Sequence, residues 1–183
     1  MQYVAQGGNL KSLGYEYTGT LQLVHQILKS DYLWDKIHIN SGAYGINSSL
    51  NKQGDLIIVS YRDPNIKESL KTYQKAGEYI SKCNLSKKDL EEYKITILGR
   101  LDVARLTPSQ QGDLATNCYI LGITTEDLFS ERKEILESSL KDVQKNAEMI
   151  DKIMEQNYYC VVGNKQKLKE NSELFSKIID VMK

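Results

Sequence analysis

Histidine is scarce in this chain: only His25 and His38 occur, thirteen residues apart. A hydrolytic zinc site takes three protein ligands and a water. Neither histidine has Glu or His at helical ligand spacing, and neither His-Glu-x-x-His nor the inverted His-x-x-Glu-His is present. The residues therefore speak against a metal centre built from this chain alone. His25, among Leu21, Val24 and Leu28, reads as a packed helix residue. Paired cysteines are missing too. Cys83, Cys118 and Cys160 stand 35 and 42 residues apart, with no Cys-x-x-Cys, so neither a zinc knuckle nor a redox motif is suggested. They read as reduced thiols, mostly buried, packing as small hydrophobes.

Excess charge of either sign is absent. Lys and Arg number 24, as do Asp and Glu. Bulk electrostatics would not draw such a chain to nucleic acid or an anionic membrane, although a local basic patch stays open. No run of eighteen apolar residues exists to span a membrane. Residues Met1 to Gly8 lack the basic and apolar segments of a signal peptide. The compartment is left open, with the cytoplasm preferred. Gly-x-Ser-x-Gly does not occur, and no Lys-Ser or Lys-Thr comes directly after Gly7-Gly8 or Gly42/Gly45, so no serine nucleophile elbow or phosphate loop is indicated.

What is present is an ordinary globular composition, 40% hydrophobic and 26% charged over 183 residues, enough for a real core. Without repeats, low-complexity segments or long loops, residues 1–183 read as a single domain. Tyr3-Val4-Ala5 predicts a short first strand ended by Gly7-Gly8. Thr18 to Lys29 predicts a helix with Leu21, Val24, Ile27 and Leu28 as its apolar stripe, and Tyr32-Leu33-Trp34 continues that surface. Ala43 to Leu50 and Asp55 to Tyr61 predict a hairpin around the turn Asn51-Lys52-Gln53-Gly54. Asp63-Pro64 is expected to open a helix reaching Lys82, with Asp63 capping and Pro64 in first place. Ser86 begins a helix to about Leu106, Thr107-Pro108 a helix to Gly122, and Thr124 and Ser139 begin two more before Gln156. Tyr158 to Val162 predicts a buried strand, and Asn164 to Met182 a last amphipathic helix. The mixed-sign runs at Lys87-Lys88-Asp89 and Glu131 to Glu134 read as solvated helix faces. The hairpin favours an α+β domain, a two-layer, mainly antiparallel sheet packed by helices, over a doubly wound parallel one.

The unusual surface is the segment Ser41-Gly42-Ala43-Tyr44-Gly45 together with Ser60-Tyr61-Arg62-Asp63-Pro64. Tyr44 stands among glycines, with little neighbouring side chain to shield it, and Gly42 and Gly45 let another backbone approach. Its phenol can donate to a carbonyl oxygen or to a developing oxyanion, or can simply pack on the sheet. Tyr61 and Arg62 can hold a peptide or brace the following helix.

Three segments in order, Leu33-Trp34-Asp35-Lys36-Ile37, Ser41 to Gly45 and Ser60 to Pro64, resemble signatures of the insulinase/pitrilysin-type zinc metallopeptidases, in the presequence-protease branch. Tyr3-Val4, Leu13-Gly14-Tyr15, Leu121 to Thr124 and Ser139 to Asp142 extend the likeness over nearly the whole chain. The resemblance implies a peptidase of four related α/β subdomains closing around a chamber. Zinc is held by the first subdomain through an inverted His-x-x-Glu-His and a distal Glu. This chain resembles the last subdomain only. There an Arg and a Tyr, six residues apart, reach the substrate near the scissile bond. Tyr44 matches that tyrosine, and His38 stands at the arginine position. A histidine cannot make a bidentate guanidinium clamp. The implied site is thus Tyr44 as a transition-state and substrate contact, His38 as a weaker neighbour, and Gly42 and Ala43 beside the peptide. Tyr61, Arg62, Asp63 and Pro64 order the hairpin and helix start. Zinc belongs to the full-length enzyme and not to this chain, which is expected to be inactive alone. Its partners would be the remaining subdomains and peptide substrates, with no nucleic acid or membrane. A non-catalytic peptide-binding or assembly module of the same fold is the alternative.

Overall fold

The computed structural model describes residues 1–101 and 106–180. Four antiparallel strands lie in the order β2-β3-β1-β4: β1 Gln2–Asn9, β2 Gly45–Leu50, β3 Asp55–Asp63 and β4 Tyr158–Val162. The helices are α1 Thr20–Ile27, α2 Ile66–Gln74, α3 Ala76–Lys82, α4 Lys87–Leu101, α5 Pro108–Leu121, α6 Thr125–Glu137, α7 Leu140–Gln144, α8 Ala147–Glu155 and α9 Lys165–Glu170. The expected antiparallel sheet packed by helices is what forms. No helix among the described residues is long and apolar enough to cross a membrane.

Strand alternation decides which face meets the helices. Val4, Leu56 and Ile58 point inward and are fully buried against Leu21, Val24 and Ile27 of α1, Tyr73 of α2, Ile80 of α3 and Ile150 and Ile153 of α8. Each such Leu or Ile contributes about 1.5–3 kcal/mol by leaving water. The first strand does not stop at Gly7-Gly8 but runs on to Asn9. A Cβ at Gly8 would lie 2.6 Å from the Ile153 carbonyl oxygen, so glycine there is what lets α8 approach the strand.

Several helix boundaries differ from the sequence expectation. The first helix starts at Thr20 and continues as a π-helix, Leu28–Ile39, which carries Tyr32 and Leu33 into the core but leaves Trp34 exposed. The strand expected from Ala43 begins at Gly45. Pro64 is not the first helical residue: α2 begins at Ile66, after Asn65, and the stretch to Lys82 divides at Lys75 into α2 and α3. Residues 124–156 form three helices rather than two, because Asn146 starts a separate α8. The capping boxes at Thr107, Thr124 and Ser139 form as read, and Gly122 takes the left-handed cap. Ser86 exchanges the same reciprocal bonds with Asp89. The predicted end of that helix, beyond Leu101, lies partly outside the described residues.

Two further expectations are overturned at the far edge of the sheet and on α6. Strand β4 is not buried: it pairs only with β1, and Tyr158, Cys160 and Val162 are exposed. The final helix is short, Lys165–Glu170, followed by a single 3-10 turn at Ser172–Leu174, while Met182 lies outside the described residues. Of the three thiols, Cys83 is buried, Cys118 half-buried and Cys160 exposed. Glu131 is not solvated. It is buried, ion-paired with Lys52 of the hairpin turn at 2.6 Å, and accepts a hydrogen bond from Tyr17 Oη at 2.6 Å.

Candidate functional site

The helical layer covers one face of the sheet. The other face carries three cross-strand rows: Gly45–Tyr61–Tyr3–Val162, Asn47–Val59–Ala5–Cys160 and Ser49–Ile57–Gly7–Tyr158. Tyr3, Ile57, Tyr158 and Val162 on this face are exposed apolar side chains. A concavity of about 760 Å³ opens over Gly7, Gly8, Ile57 and Tyr158. It lies some four residues along β1 from the Tyr3 row, about 13 Å at the rise of a strand.

Tyr44 stands at the opposite end of the same surface, on the loop between the π-helix and β2. That loop is held from several sides. Ala43 is buried, its N–H donates to the Ile37 carbonyl at 3.2 Å, and its carbonyl meets His38 Nδ1 at 2.9 Å. Ser41 Oγ donates to the Lys36 carbonyl at 2.7 Å, and Asn65 Nδ2 donates to the Ser41 carbonyl at 2.7 Å. Gly42 has φ +75° with open space around its Cα, so it serves the turn conformation and not a close approach. The loop is thus fixed while the Tyr44 side chain, 63% exposed, projects from it.

Two neighbours meet the Tyr44 ring. Tyr61 lies 5.7 Å away, centroid to centroid, at 59°. The Arg62 guanidinium carbon is 4.9 Å over the ring, within cation–π range. Arg62 itself has φ +50° and occupies a register shift between β1 and β3, where Gln2 faces Asp63 and Tyr3 faces Tyr61. Such a bulge re-aims a side chain. Asp63, fully buried, anchors the turn below it: one carboxylate oxygen accepts from Ser60 Oγ at 2.5 Å and Ser69 Oγ at 2.6 Å, the other from the Asn65 N–H at 2.8 Å. Pro64 is exposed beside it.

His38 is half-buried and turned toward its own loop. Its ring packs on Trp34 at 4.2 Å, and its Nδ1 is committed to the Ala43 carbonyl. Tyr44, Gly45, Tyr61 and Arg62 therefore converge, whereas His38 and Trp34 form a separate pair. The nearness of Arg62 to Tyr44 had no local signal in the sequence, since it depends on the bulge. Among the described residues no three His, Cys, Asp or Glu side chains gather where a metal ion could bind, so they do not fit the zinc of the resembled enzymes.

Comparison with known proteins agrees with this architecture. Residues 1–165 match the family model described as the PreP C-terminal domain. Protein HypA of Clostridium perfringens is 39% identical over 183 residues, covering all of this chain and 19% of that protein. Presequence protease 1, chloroplastic/mitochondrial, of Arabidopsis thaliana is 28% identical over 184 residues, covering all of this chain and 17% of that protein. This chain thus spans less than a fifth of the length of either. Among solved structures, a protease from Helicobacter pylori superposes with TM-score 0.62 at 16% identity, over 88% of this chain and 40% of that one. A peptidase M16 inactive domain from Pseudomonas fluorescens gives 0.59 at 17% identity, over 88% and 39%. At those identities the structural likeness speaks for the fold alone. The resemblance carried by Leu33 to Ile37, Ser41 to Gly45 and Ser60 to Pro64 is borne out: the chain belongs to the PreP C-terminal domain family.

Proposed function

We propose that residues 1–183 form one domain, the last of four related subdomains in a zinc metalloendopeptidase that degrades unstructured peptides inside a closed chamber. The zinc is held by residues outside this chain, and the remaining subdomains of the same polypeptide are its partners. The exposed sheet face is the chain's contribution to the chamber wall. An extended peptide lies along it, from Tyr44 toward the concavity over Gly7 and Gly8. Gly42 and Ala43 shape the turn that sets Tyr44 beside the peptide.

One observation carries this reading: Tyr44 sits on a loop tied down at Ser41 and Ala43 yet presents its phenol to solvent beside an uncovered apolar face. A preorganised donor of this kind stabilises an oxygen on which negative charge develops, and removal of one such donor costs on the order of 10²–10³ in rate. The test is Tyr44→Phe in the full-length enzyme. Turnover of an unstructured peptide should fall by roughly that factor with zinc content unchanged. Unchanged turnover would remove the catalytic role and leave a non-catalytic peptide-binding or assembly module. The isolated chain should cleave nothing, and chelator-sensitive cleavage by it would contradict the assignment.

A further inference from the structure

We infer that Arg62, and not His38, is the cationic donor that acts with Tyr44 on a carbonyl oxygen of the bound peptide. The inference rests on the reading of Tyr44 proposed above and adds a second substrate-contacting residue to it.

The bonding of His38 disqualifies it first. A carbonyl oxygen can only accept, so the contact at 2.9 Å with Ala43 places the proton on His38 Nδ1. That leaves the ring a single nitrogen, Nε2, for any other contact, and no planar fork of donors. Its ring is also packed on Trp34.

Arg62 has the opposite character. Its guanidinium is permanently charged, with five N–H donors in a planar fork. Among the described residues it has no carboxylate or hydrogen-bond partner, and its one recorded interaction is with the Tyr44 ring at 4.9 Å. The nearest sequence carboxylate, Asp63, is buried and fully engaged by Ser60, Ser69 and the Asn65 N–H. A non-glycine residue at φ +50° is disfavoured, by roughly 1–2 kcal/mol, and the surrounding bonds of Asp63 hold it there. The backbone is thus kept in a conformation that places an unpaired guanidinium on the face of the exposed tyrosine. The cation–π contact holds the guanidinium beside the phenol while its N–H groups keep no other partner among the described residues. Phenol and guanidinium then converge on the same acceptor, a peptide oxygen crossing the Tyr3–Tyr61 row.

The test uses the full-length enzyme and its variants. Arg62→Met should lower kcat/KM tenfold to a hundredfold at unchanged zinc content and melting temperature, and Arg62→Lys should recover only part of it. Introducing His38→Arg into the Arg62→Met background should restore part of the loss, which a merely structural role for Arg62 would not produce. Binding gives a readout independent of turnover: with zinc removed by chelator, an unstructured peptide should bind Arg62→Met about tenfold more weakly than the parent. If Arg62→Met stays within threefold in both assays while Tyr44→Phe falls sharply, the role of Arg62 is overturned and that of Tyr44 stands. If Tyr44→Phe is also silent, both are overturned. Should Arg62→Met lose the fold, Arg62→Lys carries the same comparison.

Discussion

The phenol of Tyr61 occupies the space that a side chain at position 45 would need. A Cβ at Gly45 would fall well inside van der Waals contact of the Tyr61 hydroxyl and ring, and the two residues are register partners in the β2–β3 ladder. Gly45→Ala should therefore force Tyr61 aside and cost about 1–3 kcal/mol, as overpacking does. Combining it with Tyr61→Ala should cost less than the sum of the two single changes. Denaturant unfolding of the double-mutant cycle measures this, and strict additivity would contradict it.

Glu131 and Lys52 join α6 to the hairpin turn. Because the carboxylate is buried, removing one partner leaves a charge without compensation. Glu131→Ala should destabilise the chain by about 3 kcal/mol, and Lys52→Met should cost a comparable amount. A loss under about 1 kcal/mol, the range of exposed pairs, would show that water reaches the site.

His25 should make stability depend on acid. Burial is the main cause that lowers its pKa from 6.5 to about 4, with Lys29 and Arg100 adding to it against a hydrogen bond that the ring donates to Ser48. The unfolded chain then binds the proton more readily than the folded one. Stability is full above about 6.5, declines as pH falls toward 4, and has lost about 3 kcal/mol once both forms are protonated. The ring's NMR titration should show the low midpoint, and His25→Gln should flatten this part of the pH profile.

Asp63 gathers three donors in the buried turn beneath Arg62. Asp63→Ala strands two hydroxyls and one N–H, at roughly 1–3 kcal/mol for each left unsatisfied. The expected outcome is a loss of several kcal/mol together with faster amide exchange at residues 61–65. A stable protein with unchanged exchange there would mean that the bulge holds itself.

Local chemistry was the legible part of this fold. The boxes at Ser86, Thr107, Thr124 and Ser139 need only a hydroxyl and an acid or amide three residues on, and each formed where it was read. The strand read over Asp55 to Tyr61 was equally plain from its apolar run, and it continues to Asp63. Features set by distant partners were not legible. Whether Tyr158–Val162 is central or at an edge depends on what lies beyond it, which its sequence does not contain. Glu131 looks like any surface acid until Tyr17 and Lys52 close over it. At the candidate site, glycine neighbours mark Tyr44 as accessible, but nothing local places Arg62 on its ring.

The bulge at Arg62 has a consequence best seen as a matter of parity. Leu56, Ile58 and Ser60 point inward at every second position, and by strict alternation residue 62 should be next. Instead Asp63 is the buried one, and Tyr61 and Arg62 both stay on the outer side. With residue 62 removed, Ser60, Tyr61 and Asp63 would alternate as a regular strand, and Tyr3 and Gln2 would keep their partners without a gap. Arg62 is thus supernumerary to the architecture, so its identity is free of the packing rule that constrains every other residue of β3.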